Sequence, residues 1–257
     1  GCRRILYRPL TLWTTFALST NTRSMSNIDY IGNELELFKD AVNWKAYYRS
    51  AIEKYIYGDV CEVGAGLGGT TTALLNDTVN SWLAIEPDAE LTALIPAEIN
   101  GLPHASKVEI LHGVLDDVSP DRKFDSILYI DVIEHIEHDK AEFEKAAARL
   151  KSGGHLVILV PAFNFLYNPF DKAIGHFRRY DKPMLRSVAQ NSGLDQQFLK
   201  YYDSMGFFAS CANKFFINKS TPSKGNIALW DNMLVPIAKI VDPIIFRAFG
   251  KSLIGVW

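Results

Sequence analysis

The sequence of 257 residues is poor in cysteine and has no strong excess of either charge. Its three cysteines, Cys2, Cys61 and Cys211, form no Cys-x-x-Cys pair and have no metal-ligand spacing. Cys61 lies inside an apolar run, where a thiol commonly serves as a small hydrophobic side chain. Scattered cysteines of this kind indicate a reducing, cytoplasmic compartment and predict no metal site.

The charges nearly cancel, with 27 basic and 29 acidic residues and a formal net charge of −2. Four arginines lie in residues 1–24, which contain no acid, so residues 25–257 carry 23 basic and 29 acidic side chains. Proteins bind duplex nucleic acid through basic surfaces, whereas residues 25–257 carry more acidic than basic side chains. We therefore expect no nucleic-acid partner.

Residues 1–24 are rich in threonine, serine and arginine. This composition is typical of an organelle-targeting leader, but disordered, translated upstream or cloning-derived sequence has it too, so we do not favour targeting. We predict an N-terminal extension over 1–24 and one functional domain over 25–257. The chain is long enough for a single core, since 48% of its residues are hydrophobic.

Long apolar runs are also absent. Segment 10–18 is too short and too polar to cross a membrane, and 204–250 contains no uninterrupted apolar stretch of about 20 residues. We expect no transmembrane span. Peripheral contact of an apolar face in 204–250 with a membrane surface stays open, although Pro236 and Pro243 should interrupt any long amphipathic helix there.

Apolar runs alternate with segments of helical period, which is typical of a mostly parallel sheet with helices on both faces. One or two amphipathic helices are predicted over 33–57, and a helix over 138–150 should end at Gly153 and Gly154. The predicted strands lie near 59–63, 81–86, 107–112, 125–131, 154–160, 195–202 and 252–257.

An acid and alternating glycines follow the first apolar run, in the segment GDVCEVGAGLGG at 58–69. Glycine is required where the backbone turns sharply and approaches a ligand closely, and amides at the start of the next helix would face that ligand. The segment predicts a nucleotide-type site. Its spacing does not select the ligand, because Gly64, Gly66 and Gly69, with Glu86 downstream, also satisfy the dinucleotide fingerprint.

The motifs that follow in order shift the balance between ligands. These motifs are LAIEP at 83–87, HGVLDDV at 112–118, FDSILYIDVIEH at 124–135 and LKSGGHLVILVPA at 150–162. Together with Glu62, they resemble the motifs of the class I S-adenosylmethionine (SAM) dependent methyltransferases, and the resemblance covers about residues 34–257. The resemblance implies a doubly wound, mostly parallel seven-stranded α/β sheet, the Rossmann-like methyltransferase fold, with a C-terminal helical insertion. It implies SAM as cofactor and S-adenosylhomocysteine as product.

The same resemblance assigns residues to parts of the cofactor. Glu62 should meet the ammonium of the methionine moiety, or satisfy loop amides instead, and Glu86 should accept from both ribose hydroxyls. Many relatives have aspartate directly after Gly113, where this chain has Val114, so we assign the adenine amine to Asp116. The expected cofactor contacts are Trp44, Tyr48, Glu62, Gly64, Ala65, Gly66, Gly68, Glu86, Pro87, Gly113, Leu115, Asp116, Asp131 and Val132.

Two of these assignments have a simpler alternative. Trp44 and Tyr48 lie at helical spacing, where aromatic side chains usually pack in the core. In the family that the chain resembles, the helix before the first strand often folds over SAM, so the two rings would cap the cofactor. Asp117 is expected to be solvated or to cap a helix.

Methyl transfer to a hydroxyl requires removal of a proton, for which histidine is the best base near neutral pH. His135 and His176 are the candidates for this catalytic role. His176 belongs to a segment, YNPFDKAIGHFRRYDKPML at 167–185, that resembles a subset of these methyltransferases with a GHxRRY-type loop after the fifth strand. A segment at 161–181 and one at 204–250 are expected to be insertions on the acceptor side.

The loop also predicts acceptor contacts at Arg178, Arg179 and Tyr180. An arginine facing the site would clamp a carboxylate or phosphate through its planar guanidinium. The alternative is an internal salt bridge, for example to Asp171 or Asp181, with a structural His176.

The function expected from these features is methyl transfer from SAM to a small-molecule or lipid-linked acceptor, at oxygen. A nicotinamide-dependent oxidoreductase is the first alternative, although the sequence lacks the Tyr-x-x-x-Lys pair of short-chain dehydrogenases. The second alternative is a non-catalytic SAM-binding protein of the same fold, since a fold does not establish an activity.

Overall fold

The computed structural model describes residues 33–217 and 222–257, so the predicted extension over 1–24 lies outside the described residues. Seven strands form one sheet in the order β3-β2-β1-β4-β5-β7-β6. All neighbours pair in parallel except β7, which is antiparallel to both β5 and β6. The strands are β1 (Gly58–Val63), β2 (Val79–Glu86), β3 (Val108–His112), β4 (Phe124–Ile130), β5 (Leu150–Pro161), β6 (Phe198–Tyr202) and β7 (Ser252–Val256). The predicted fold class is confirmed.

Ten α-helices lie in the described residues. They are α1 (Asn33–Phe38), α2 (Val42–Ile52), α3 (Gly69–Leu74), α4 (Ala89–Ile99), α5 (Asp139–Ala148), α6 (Pro169–Ala173), α7 (Lys182–Ala189), α8 (Ser204–Ala212), α9 (Lys224–Leu229) and α10 (Val235–Ile244). Short 3₁₀ turns lie between several elements, including Leu115–Asp117 between β3 and β4 and Ile133–His135 between β4 and α5. No helix of the described ranges is long and apolar enough to span a membrane.

The sheet is covered on both faces because its central strands are apolar at nearly every position. Alternate side chains such as Val60 and Cys61 enter different cores. One core packs the sheet against α2, α4 and α10, and the other packs it against α5 and α7. Cys61 is fully buried, and burial raises the pKa of its thiol to about 12, as expected of a small hydrophobic side chain.

The prediction for the end of α5 was wrong. The helix ends at Ala148, and Gly153 and Gly154 lie within β5 instead. The pairing of β4 with β5 is irregular there, and Gly153 has a φ of 79°. A Cβ at Gly154 would lie 3.0 Å from the carbonyl oxygen of Asp125. The glycine pair therefore forms a strand irregularity and does not terminate the helix.

The C-terminal insertion forms α8, α9 and α10 between β6 and β7. Contrary to prediction, Pro236 does not interrupt the helical path, because a π-helical turn, Trp230–Leu234, joins α9 directly to α10. Its wider turn lets Val235 donate to the carbonyl of Trp230, so the backbone continues past a proline that has no N–H.

Two buried aspartates connect this insertion to α2 and to the end of β6. Asp231 accepts the backbone N–H groups of Asn43 (3.1 Å) and Trp44 (2.8 Å) at the start of α2. Asp242 accepts the hydroxyl of Tyr47 (2.8 Å) and the N–H of Asp203 (2.7 Å) after β6. Buried carboxylates require hydrogen-bond donors, and the donors here come from α2 and from the residue after β6. These hydrogen bonds therefore hold the insertion against α2 and β6.

Candidate active site

The strand order reverses between β1 and β4, and the carboxyl ends of the strands at such a point are the usual ligand position. The carboxyl end of β2 lies beside that of β1. Gly64 leaves β1 with a φ of 73°, and a Cβ there would lie 2.6 Å from Cγ2 of Val132. The N–H groups of Gly64 and Ala65 donate to the carbonyl of Ile85 (2.8 and 2.9 Å). These contacts hold the glycine loop 64–68 at the switch point.

Glu86 is a fixed carboxylate at the end of β2. Its Oε2 accepts from the N–H of Gly66 (2.7 Å) and its Oε1 from the N–H of Asp88 (2.9 Å). The side chain is 6% exposed, and burial raises its pKa. Each oxygen keeps a further lone pair. This arrangement fits an acceptor for two neighbouring hydroxyls.

Glu62 is buried in β1 and only half of its carboxylate is satisfied. Oε2 accepts from the hydroxyl of Thr71 and from Nε1 of Trp82 (2.9 Å). Oε1 has no hydrogen-bond partner among the described residues. Burial raises the pKa of Glu62 to about 7. An unpaired buried carboxylate fits a cationic ligand group, such as the ammonium of the cofactor.

The aromatic residues of α2 are in the core, as their spacing predicts. Trp44 contacts the rings of Tyr48 (5.7 Å between centroids) and Trp230 (5.9 Å). Tyr48 is 3% exposed, and burial, then the charges of Asp131 and Glu62, raise the pKa of its hydroxyl despite a hydrogen bond with Thr70. Tyr48 thus contacts the start of α3, directly after the glycine loop, and a capping role stays a prediction.

The segment after β3 differs from expectation at Asp116. Its Oδ2 lies 2.7 Å from Nζ of Lys145, and its side chain is 62% exposed. The carboxylate therefore has a surface partner, and we do not retain it as the acceptor for an adenine amine. The side chain of Leu115 is buried in the core, which leaves only its backbone for a ligand.

Three further residues lie at the carboxyl ends of β2 and β3. Asp117 accepts from the N–H of Val114 (2.8 Å) and caps the short turn, one of the two roles expected for it. Gly113 donates to the carbonyl of Glu86 (3.0 Å), which brings the two strand ends together. Pro87 is exposed beside them.

Asp131 follows β4 in a strained conformation with a φ of 55°. Its N–H donates to the carbonyl of Leu159 (2.9 Å), which fixes the turn. Its side chain is accessible to solvent. Desolvation by the surrounding protein raises its pKa to about 6, against the charges of His176, Lys251 and Arg179. Left-handed backbone at a non-glycine residue is typical of functional sites. Val132 continues the turn onto Gly64.

The two candidate histidines are neighbours although 41 positions separate them in the sequence. The rings of His135 and His176 have centroids 4.5 Å apart at 83°. Burial, and then the charge of His176, lower the pKa of His135 to about 3, so its imidazole is neutral near pH 7. Nδ1 of His176 lies 2.9 Å from Oδ1 of Asp171.

Glu134 was missed by sequence reasoning, because only its neighbours in the motif were singled out. It is fully buried, and neither carboxylate oxygen has a hydrogen-bond partner in any other residue that the structure describes. Nε2 of His176 lies 3.8 Å from Oε1 of Glu134. Glu134, His135 and His176 each offer one metal-ligating atom, all within 4.8 Å of one another. Spacing alone had predicted no metal site.

Tyr180 and Arg178 were predicted to contact the acceptor, and the structure assigns them elsewhere. Tyr180 is fully buried and its hydroxyl donates to Oδ2 of Asp139 (2.9 Å). Arg178 forms an ion pair with the same carboxylate (2.6 Å) and donates to the carbonyl of Glu137 (2.8 Å). Both side chains therefore connect the segment after α6 to Asp139 in α5.

Arg179 forms the internal salt bridge given above as the alternative. Its Nε donates to Oδ1 of Asp171 (2.8 Å). Its Nη1 has no hydrogen-bond partner within residues 33–217 and 222–257, so one donor stays available to a ligand. Asp181 takes no part in this pair, since it caps α7 by accepting from the N–H of Met184 (2.8 Å).

Lys251 is a second residue that no sequence signal identified. Its Nζ lies 4.1 Å from the ring centroid of Trp230. Burial lowers its pKa, against the attraction of Asp203, Asp131 and Asp171. These three acids come from the turn after β4, the loop 161–181 and the end of β6, which only the fold brings together.

An exposed apolar stripe runs along the insertion. Met233, Ile237, Ile240 and Ile244 are 56%, 43%, 69% and 70% exposed. Their spacing of four, three and four residues places them on one side of the helical path. Phe246, directly after α10, is 90% exposed. Contiguous apolar surface of this kind commonly contacts a membrane, a ligand or a partner.

Comparison with solved structures shows similar folds. The chain superimposes on a Bacillus halodurans C-125 protein assigned as a methyltransferase with a TM-score of 0.56 and 16% identity, covering 82% of this chain and 96% of that one. A Haloferax volcanii protein, also assigned as a methyltransferase and solved with the Trm112 methyltransferase activator, gives 0.61 and 16%, covering 87% and 92%. A SAM-dependent methyltransferase from Clostridium acetobutylicum gives 0.50 and 13%, covering 90% and 92%.

Sequence comparison identifies the family. No curated protein sequence matches the chain. A family model described as a methyltransferase domain matches residues 20–199, which is more than half of the chain. This match contradicts the nicotinamide-dependent oxidoreductase alternative, and the glycine loop, the fixed Glu86 and the half-satisfied Glu62 fit SAM. The chain belongs to the methyltransferase-domain family, and its cofactor is S-adenosylmethionine.

Proposed function

We propose that this protein transfers the methyl group of SAM to a hydroxyl oxygen of a small-molecule or lipid-linked acceptor. The turn from Asp131 to His135 carries this proposal. Val132 in that turn contacts the glycine loop at Gly64, and His135 at its end contacts the ring of His176. One short segment thus joins the cofactor side of the cleft to two imidazoles.

SAM supplies a methyl carbon that its positively charged sulfur makes electrophilic. The chain aligns the acceptor oxygen and excludes water. A bond forms between oxygen and the methyl carbon while the carbon–sulfur bond breaks, and sulfur keeps the electron pair as S-adenosylhomocysteine forms. The hydroxyl proton must leave, and Nε2 of His176 is the better placed acceptor. Asp171 at Nδ1 orients this imidazole as in other base–carboxylate pairs.

The acceptor-side elements are the loop 161–181 and the insertion 204–250. Nη1 of Arg179 is the donor that this loop keeps for an acceptor carboxylate or phosphate. The exposed stripe of α10 favours an acceptor held at a membrane surface or linked to a lipid, since an apolar face of a surface helix binds the acyl boundary. A small acceptor without a lipid requires no such face.

Transfer of an isotope-labelled methyl group tests the proposal. A panel of hydroxyl-bearing small molecules, with and without an attached acyl chain, is incubated with labelled SAM, and products are identified by mass and fragmentation. We expect O-methylated product, with turnover at least about 10²-fold lower in His176→Ala and S-adenosylhomocysteine affinity unchanged. Methylation at nitrogen would contradict the choice of oxygen. Cofactor binding without turnover on any acceptor would favour a non-catalytic SAM-binding protein.

A further inference from the structure

We propose that Glu134, His135 and His176 form a binding site for one divalent transition-metal ion beside the cofactor cleft. The three side chains come from two separate segments, the turn after β4 and the loop after α6. One potential ligand atom from each lies within 4.8 Å of the other two. Ligand atoms that share an ion are about 3 to 3.5 Å apart at bond lengths of about 2.1 Å, so small side-chain rotations would close the site.

The unpartnered carboxylate is the first argument. Glu134 is fully buried, and neither Oε1 nor Oε2 accepts a hydrogen bond from any other described residue. A buried carboxylate needs hydrogen bonds, an ion pair or a metal. The nearest imidazole nitrogen, Nε2 of His176 at 3.8 Å, is too far for a hydrogen bond. A cation between the two atoms would satisfy both.

The second argument is the support behind His176. Its Nδ1 contacts Asp171, which leaves Nε2 directed towards Glu134. Nε of Arg179 holds the same Asp171 oxygen at 2.8 Å. A metal-ligating histidine typically has a carboxylate on its other ring nitrogen, which fixes the tautomer and the ring orientation. The 2.9 Å contact between His176 and Asp171 has this form.

The ligand set indicates the kind of ion. Two imidazole nitrogens and one carboxylate oxygen suit Zn²⁺, Fe²⁺, Co²⁺ or Mn²⁺, whereas Mg²⁺ and Ca²⁺ prefer oxygen ligands throughout. Three protein ligands leave at least one coordination position for water or an acceptor atom. A site that serves only to stabilise the fold would normally be closed by a fourth side chain.

A role for the ion in the reaction rests on the function proposed above. An acceptor hydroxyl at the open position would have a lower pKa and would release its proton to water. The oxygen would then take the methyl carbon, with the electron pair of the broken bond staying on sulfur. With the ion bound, Nε2 of His176 would be a metal ligand, and water would take the proton that Nε2 takes in the ion-free site.

Metal titration of the full chain tests the site without an acceptor. After treatment with chelator and its removal, the protein is titrated with Co²⁺, which is followed by visible absorption, and with Zn²⁺, which is followed by calorimetry. We expect one ion per chain. We expect affinity to fall at least about 10-fold in Glu134→Gln and in His176→Ala, and no change in His104→Ala, whose imidazole pairs with Asp77.

Each variant is also titrated with S-adenosylhomocysteine to show that it is folded. Failure to bind either ion, or equal affinity in all variants, would overturn the metal site and leave the methyltransferase proposal standing. If the unchanged chain binds the ion but not S-adenosylhomocysteine, the site is supported and the proposed function is wrong.

Discussion

Val132 occupies the space that a side chain at Gly64 would need, since a Cβ built there would lie 2.6 Å from Cγ2 and 2.9 Å from Cγ1 of Val132. This contact joins the loop after β1 to the turn after β4. The cofactor loop and the segment that carries Glu134 and His135 are therefore tightly packed against each other at this point. Binding at one side of the cleft is expected to position the other.

Substitution of Gly64 tests this contact. Gly64→Ala should lower the free energy of unfolding by about 1 to 3 kcal/mol, because it adds a clash to a left-handed backbone with a φ of 73°. Urea unfolding measures the loss. Gly101→Ala is the matched control, since Gly101 has a φ of 77° and no atom within 4 Å of the added Cβ. Equal losses in both variants would contradict the contact, and Val132→Ala added to Gly64→Ala should recover part of the difference.

The stability of the cofactor-free protein should depend on Glu62 between about pH 4.5 and pH 7. Burial raises the pKa of this carboxyl from 4.5 to about 7 in the folded chain, so ionisation is costlier there than in the unfolded chain. Its stabilising contribution is complete below about pH 4.5 and is lost as pH rises through 7, at about 1.4 kcal/mol per pKa unit. Denaturant unfolding at pH 5 and pH 8 should show a smaller fall for Glu62→Gln. An equal fall in both proteins would exclude Glu62 as a contributor.

Tyr180 should contribute stability and no ligand contact. Tyr180→Phe removes a buried hydrogen bond to Asp139 and should lower the free energy of unfolding by about 1 to 2 kcal/mol. S-adenosylhomocysteine affinity should stay within about two-fold by calorimetry. Tyr57→Phe is the control, because it removes an exposed hydrogen bond to the carbonyl of Gly153 and should cost less. A large change in acceptor KM without loss of stability would restore the original assignment of Tyr180.

The exposed stripe should determine membrane association, if the acceptor is lipid-linked. We expect the protein to float with liposomes. Ile240→Asp combined with Ile244→Asp should abolish flotation, because the two isoleucines supply apolar area that a membrane surface would bury. Leu94→Asp, at an exposed leucine of α4, is the control. Failure of the unchanged chain to associate with liposomes would remove the membrane-surface part of the proposal.

Local pattern predicts those features that depend on neighbouring residues. The sheet follows from apolar runs and helical period, and Gly64 and Gly66 follow from a turn that only glycine adopts easily. The course of α9 and α10 was not predictable from Pro236, because a π-helical turn absorbs the missing donor. Proline rules describe a regular α-helix and do not anticipate a wider turn.

Long-range pairings explain the remaining differences. Asp116 could be assigned to adenine only while its partner Lys145, 29 residues away, was unknown. Likewise, nothing local indicates that His176 returns to Glu134, or that Asp171 takes both His176 and Arg179 as partners. Such contacts depend on how the loop after β5 folds over the turn after β4.

Calorimetric titration with S-adenosylhomocysteine tests the central claim most directly, because every assignment in the cleft depends on the ligand that Glu86 holds. We expect micromolar affinity in the unchanged chain and in Glu90→Ala, which alters an exposed acid of α4, and loss of binding in Glu86→Ala. NADH in a parallel titration should not bind. Binding of NADH alone, or unchanged S-adenosylhomocysteine affinity in Glu86→Ala, would contradict the assigned cofactor site.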